Sequence, residues 1–328
     1  VVDNVLRRAS GSNPAWLGKP LLLVPLCLVP LFVNDYVQFI VNTIVVYCIV
    51  AVALNIVLGY LGQLAFANAA FFGIGAYTAG LSMVHLGLPF VVAVPLAGIA
   101  GGLAGLLVGL PALRVRGYYL AIVTLAFVEL MRWVWIHAEK VTFGSGGFDV
   151  PPISLFGMTL GGRGKYYVFL FVTVAVLWTT SLLLRSRYGR AFVAVRDNEA
   201  AAASLGIEVN RTKIIAFAWS GLVAGLAGAL FAELNGRLSP DSFDISQMLM
   251  EFTIVMIGGP GSLAGSVIGA IIITALPNVL SNLPGLNEVA FSVLLIAVLF
   301  LIPKGIGGFL GTHVPMLRER LYRDDKDA

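Results

Sequence analysis

Long apolar runs fill most of the chain, unbroken rather than alternating, and short polar stretches separate them. Unbroken runs favour helices over barrel strands, which alternate lipid-facing and lumen-facing residues. Apolar windows predict helices at 20–34, 36–59, 64–84, 89–112, 117–137, 166–184, 213–234, 246–259, 263–282 and 288–302. About 20 apolar residues are needed to cross ~30 Å of hydrocarbon. Segment 246–259 is short for that and reads as a broken or re-entrant element, as does the glycine-rich stretch after Gly62 within 64–84.

Composition agrees with a lipid environment. Hydrophobic residues make up 59% of the chain and charged residues 12%, where a soluble domain carries about 25% charged residues. In lipid only helices or closed barrels satisfy the backbone. The expected fold class is therefore an all-α integral membrane protein of about ten transmembrane helices, with short or re-entrant elements among them.

Charge sets the orientation. With the N-terminus inside, 16 of the 21 Lys and Arg fall in inside loops and 5, namely Arg132, Lys140, Arg163, Lys165 and Arg237, fall outside. By the positive-inside rule both termini are expected in the cytoplasm, which requires an even number of spans. The resulting division is a cytoplasmic N-terminal segment 1–19, a transmembrane domain 20–312 and a cytoplasmic tail 313–328. Within the domain, 138–165 is an external loop and 185–212 the longest internal loop. Arg7, Arg8 and Lys19 precede the first apolar run, but no A-x-A-like site follows and another run begins at once, so 20–34 reads as a span rather than a signal peptide. The net charge of +4 comes without a continuous basic stripe and implies no nucleic-acid partner. Cys27 and Cys48 are expected on successive spans at depths differing by roughly 9 Å, which argues against a disulfide.

Small residues recur four apart at Gly101, Gly105 and Gly109, at Gly221 and Gly225, at Gly261, Gly265 and Gly269, and at Ala65, Ala69 and Gly73. Such ladders let helix backbones approach closely in lipid.

The internal loop holds the most informative pattern. Asp197 and Asn198 are N-cap residues, Glu199 suits a first helical turn, Ala200 to Ala203 favour helix, and Gly206 is a natural residue just past a helix end. A helix of about two turns is predicted there, marginal alone and stabilised by docking.

Glu199-Ala200-Ala201 with Gly206 resembles the EAA-type coupling motif of ABC importer permeases. The run from Tyr188-Gly189-Arg190 through Ile207 to Lys213, Phe217, Ser220 and Ala224 to Gly228 is similar to branched-chain amino-acid (Liv-type) permeases, and more specifically to their LivM-like subunit. Gly59 to Ala65 with Ala69 to Tyr77, Tyr118 through Thr124 to Glu129 and Arg132, Ser239 to Phe243, and Ile257 to Gly265 agree in order along residues 20–310. Two departures are Ala67-Asn68, where the family usually has a small residue and His, and Thr142 to Gly147, where it usually has Thr-Gly-Gly.

The resemblance implies import of branched-chain amino acids (Leu, Ile, Val) across the plasma (inner) membrane of a prokaryote. It implies an extracytoplasmic binding protein, a LivH-like second permease and two cytoplasmic ATPase subunits, LivG-like and LivF-like, that bind ATP-Mg. Independently, no G-x-x-x-x-G-K-[ST] P-loop occurs, so no cofactor is expected on this chain. A permease for urea, short amides or other amino acids, and a stand-alone secondary transporter, are the alternative readings. His85, His137 and His313 are far apart with no metal spacing, and no enzyme chemistry emerges.

The coupling-loop candidates are Arg190, Arg196, Asp197, Glu199, Ala200, Ala203 and Gly206. Candidates for a translocation path are Gln63, Asn68, Gly73, Gly75, Tyr77, Thr124, Glu129, Arg132 and Glu251. Gln63 and Asn68 flank a possible broken helix that could receive substrate charges, or form interhelical hydrogen bonds, the reading also given to Asn42 and Asn55. Glu129 and Arg132, three apart, share a helix face. They are either a polar wall, a gating ion pair, or a self-paired charge beside an aromatic belt of Trp133 and Trp135. Glu251 is a lone intramembrane carboxylate, functional by default. Glu233 is expected at an external helix end without a special role.

Overall fold

The structure, a computed structural model, describes residue 30 and residues 33–280 apart from 116, 156 and 157. The predicted span 288–302, most of span 20–34, Cys27, the N-terminal segment and the 313–328 tail lie outside the described residues.

Ten helices carry the architecture described below. They are α1 (Asp35–Asn55), α2 (Asn68–Leu86), α3 (Phe90–Gly109), α4 (Tyr118–His137), α5 (Gly162–Arg185), α6 (Arg187–Asp197), α7 (Glu199–Ser204), α8 (Val209–Asn235), α9 (Ile245–Gly258) and α10 (Leu263–Leu280). Six of them, α1 to α5 and α8, have the length and apolarity to cross a membrane. The expected count of about ten spans is thus not reached among the described residues. Helix α9 has 14 residues, about 21 Å at 1.5 Å per residue, and so falls short of the hydrocarbon thickness, as its short apolar window suggested.

Helix α8 is the central element. Its small-residue face meets α3 on one side and α2 on the other. A methyl group added at Gly101 would strike the Gly221 carbonyl, one at Gly105 the Phe217 carbonyl, and one at Gly75 the backbone of Gly225. With no side chain between them, these backbones touch directly and gain dispersion contacts that lipid tails cannot supply. Gly258 and Gly265 pack in the same way between α9 and α10. The outward faces of α3 and α4 expose Leu103, Leu107, Leu110, Ile122 and Leu130, the pattern expected of helices solvated by lipid.

Helix α1 ends in a π turn, Ile56–Tyr60, and the chain reverses at Gly62, whose φ of 71° is in the left-handed region that glycine enters without strain. Residues 62–66 have no helical structure. The chain then begins α2 inside the bundle, because the Asn68 side chain lies 3.5 Å from the carbonyl of Val50, about 15 Å of helix rise before Tyr60. The glycine-rich element therefore divides into a non-helical entry and a 19-residue helix.

Segment 138–165 is folded rather than a free loop. It holds a helical turn, Glu139–Thr142, and three short strands: β1 (Phe148–Asp149), β2 (Ser154–Leu155) and β3 (Met158–Thr159). Strand β1 pairs antiparallel with β4 (Arg237–Leu238), just past α8, and β2 pairs with β3.

Candidate functional site

The 185–212 loop contains two helices where one was expected. Ser186 caps α6 by accepting from the Tyr188 backbone N–H at 3.1 Å. Gly189, Phe192 and Val195 form the inward face of α6. Arg187 donates to the Tyr188 hydroxyl at 3.2 Å and thereby lowers that phenol's pKa from its ordinary value. Asn198, rather than Asp197, caps α7, its carboxamide oxygen accepting from the N–H groups of Ala200 and Ala201 at 2.9 and 3.0 Å. Gly206, at φ 82°, closes α7 as expected.

Helix α7 buries Ala202, half-shelters Glu199 and turns its other residues outward. Ala202 is buried, whereas Arg190, Arg196, Asp197, Ala200, Ala203 and Gly206 are exposed, and Leu205 is 80% exposed. A six-residue helix cannot hold itself in water, so its anchors matter. Glu199 supplies one. Its carboxylate accepts from the Lys213 ammonium at 2.6 Å and from the Gln63 carboxamide at 3.3 Å. Lys213 is 1% exposed, so the pair is sheltered on the lysine side. Arg196 supplies the second anchor: its aliphatic stem lies against Gly62, and its guanidinium donates to the Gly59 carbonyl at 2.7 Å.

Of the path candidates, the structure brings Gln63 to the 185–212 loop rather than to the others. Asn68 and Glu251 meet, with the Asn68 amide donating to the Glu251 carboxylate at 2.7 Å. Gln247 donates to the other Glu251 oxygen at 3.2 Å and accepts from Tyr47 at 3.0 Å. This cluster joins α1, α2 and α9 in the interior. Thr124 accepts from the Phe66 N–H at 2.9 Å, which holds the non-helical entry against α4. Gly73 faces Trp135 and Phe243, and Gly75 faces Gly225. Tyr77 stacks on Trp135 with ring centroids 4.7 Å apart.

Two expectations are corrected here. Trp135 is buried, 4% exposed, in the aromatic cluster with Tyr77 and Phe243. Only Trp133, 56% exposed, faces outward as a belt residue would. Glu233 is not idle. It is 2% exposed, pairs with Lys165 at 2.7 Å and accepts from the Ile153 N–H at 3.0 Å. Lys165 and Ile153 are 68 and 80 positions away, so sequence spacing held no signal for this clasp. Arg132 does lie near Glu129, at 3.8 Å, but its close partner is Asp241 at 2.7 Å, which sequence reading missed for the same reason. Asn55 makes the interhelical bonds expected of it, to Ser262, Ser266 and Gly261 at 2.6 to 2.8 Å.

The buried polar cross-links and the direct helix contacts are those of a multi-pass membrane protein. A family model described as branched-chain amino acid transport system / permease component matches residues 36–303. The chain belongs to this permease family. The chain is 32% identical to the high-affinity branched-chain amino acid transport system permease protein LivM of Escherichia coli, covering 89% of this chain and 73% of that relative. It is 32% identical to LivM of Salmonella typhimurium over 84% of this chain and 69% of the relative. The ribose import permease protein RbsC of Haemophilus influenzae is 28% identical over 70% of this chain and 72% of its own length. No solved structure matches this permease-family chain.

Proposed function

We propose that this chain is the membrane-spanning permease subunit of an ABC importer that carries branched-chain amino acids into the cytoplasm of a prokaryote across its plasma membrane. In this reading ATP-Mg is bound and hydrolysed by two separate subunits, LivG-like and LivF-like. A LivH-like chain forms the other half of the permease, and an extracytoplasmic protein delivers the substrate. Both termini and the 185–212 loop face the cytoplasm, and the 138–165 segment faces the binding protein.

The observation that carries the reading is helix α7. It is capped at both ends, presents Ala200, Ala203 and Leu205 outward, and is tied by Glu199 to a buried lysine. An exposed apolar helix this short is stabilised by a partner that covers it, and its rigid anchoring suits transmission of force into the bundle. The similarity to two LivM proteins supports branched-chain amino acids as cargo. The cluster of Asn68, Glu251, Gln247 and Tyr47 supplies polar groups within the bundle for a path.

The test is gentle detergent extraction of this chain from its native membrane, with mass spectrometry of what accompanies it, followed by uptake of labelled leucine and ribose into vesicles holding the recovered complex. Two ATPase chains, a second permease and ATP-dependent leucine uptake are expected. A chain recovered alone that takes up substrate on an ion gradient overturns the ATP-driven reading, and ribose uptake without leucine uptake overturns the substrate.

A further inference from the structure

The two anchors of the loop converge. Arg196 and Glu199 reach from α6 and α7 to residues 59–63, the short stretch where α1 loses its regular hydrogen bonding. There the Leu61 N–H bonds to the Ile56 carbonyl and the Gln63 N–H to the Val57 carbonyl, instead of the partners four residues back that an α-helix would use. Gln63 thus passes over the Gly59 carbonyl, and Arg196 donates to it. π turns of this kind are rare and occur mostly as single turns within helices, and in this one the Arg196 guanidinium takes the Gly59 carbonyl.

From residues 59–63 a chain of contacts runs on into the bundle. Asn55, one helical turn earlier, accepts from the Gly261 N–H at 2.7 Å and donates to Ser262 and Ser266 at 2.8 and 2.6 Å. Gly261 and Ser262 form the turn between α9 and α10 and Ser266 lies in the first turn of α10, beside the point where Gly258 and Gly265 pack backbone to backbone. Helix α9 carries Glu251, which holds Asn68 at the start of α2. The α2–α8–α3 slab is likewise joined by direct backbone contacts, and it is tied to α1 by the Ser220 hydroxyl, which donates to the Ala53 carbonyl at 2.7 Å. Packed interfaces of that kind shift as units or not at all.

We infer that residues 59–63 are the entry point through which displacement of the α6–α7 loop reaches the interior, and that Arg196, Gln63 and Asn55 are positioning residues for transport. The inference rests on the reading above that the loop docks on an ATPase subunit. The loop pulls on the π turn, the turn moves Asn55, and Asn55 moves the α9–α10 turn.

The experiment uses the complete importer in vesicles, with Gln63→Ala and, separately, Asn55→Ala in this chain. ATPase subunits stay bound and ATP is still hydrolysed, while substrate moved per ATP falls roughly two- to thirty-fold, the range of couplings carried by such networks. An unchanged ratio overturns the inference while leaving the importer reading intact. Absence of ATPase subunits from the unaltered complex overturns both. Should either variant fail to assemble, spin labels at Leu205, Leu64 and Leu103 in the otherwise unaltered complex decide the matter. The 205–64 distance is expected to stay constant between nucleotide-free and ATP-trapped states while both labels move relative to position 103. Movement of 205 with 64 fixed to 103 overturns the inference.

Discussion

Lys213 and Glu199 form an ion pair of 2.6 Å in which the two side chains differ in shelter, 2% exposed for the lysine and 28% for the glutamate. The asymmetry predicts unequal mutants. Glu199→Ala strands a buried ammonium and should cost about 3 kcal/mol. Lys213→Met removes the buried charge, leaves the carboxylate its route to water, and should cost about 1 kcal/mol. Thermal unfolding in detergent checks the order, and a larger loss from Lys213→Met would contradict it.

The glycines of α3 should respond to one added methyl group in opposite directions. At Gly105 it meets the Phe217 carbonyl, whereas at Gly102 the nearest atom is the Leu222 Cβ at 3.4 Å. Gly105→Ala is expected to destabilise by about 1–3 kcal/mol through overpacking. Gly102→Ala is expected to be neutral or to stabilise by up to ~1 kcal/mol, since alanine is the better helix former. The same unfolding measurement reads both.

Glu233 clasps the 150–165 segment to the end of α8 through Lys165 and the Ile153 N–H. Glu233→Ala removes both bonds and leaves a buried amide unpaired, at about 1–3 kcal/mol. Hydrogen exchange at residues 150–165 should quicken while exchange in the middle of α8 stays slow. Uniform quickening along α8 would show that the carboxylate supports the whole helix instead.

Lys140 and Ser204 are both exposed and lie at opposite ends of the bundle. In intact cells a membrane-impermeant maleimide should label Lys140→Cys and spare Ser204→Cys until the membrane is opened. The reverse pattern would invert the proposed orientation. Cys48, buried at 5% exposure, should stay unlabelled in either case, because the reagent cannot reach it.

Much was legible from local pattern. The six helices that, among the described residues, are long and apolar enough to cross a membrane follow from runs of apolar residues, because in lipid a helix is the local answer to an unsatisfied backbone. The cap at Asn198, the closing glycine at Gly206 and the short α9 were visible for the same reason: each depends on neighbours within a few positions. The glycine ladders announced close helix contacts, though not which helices would meet. Helix α6 went unread because its burial is carried by Gly189, Phe192 and Val195 among three arginines, and the polar run reads as loop until Ser186 is seen to cap it.

Sequence alone determined the membrane character, the span positions and the loop helix, since these follow from composition and from residues a turn or two apart. Tertiary structure alone decided what the charges do. Gln63 left the expected path for the loop, Glu233 gained Lys165, Arg132 gained Asp241, and Trp135 turned inward onto Tyr77. Each of these pairs spans from 58 to 136 positions of chain. A buried charge or amide must find a partner wherever the packing of helices brings one, and that packing is a property of the bundle, not of any segment within it.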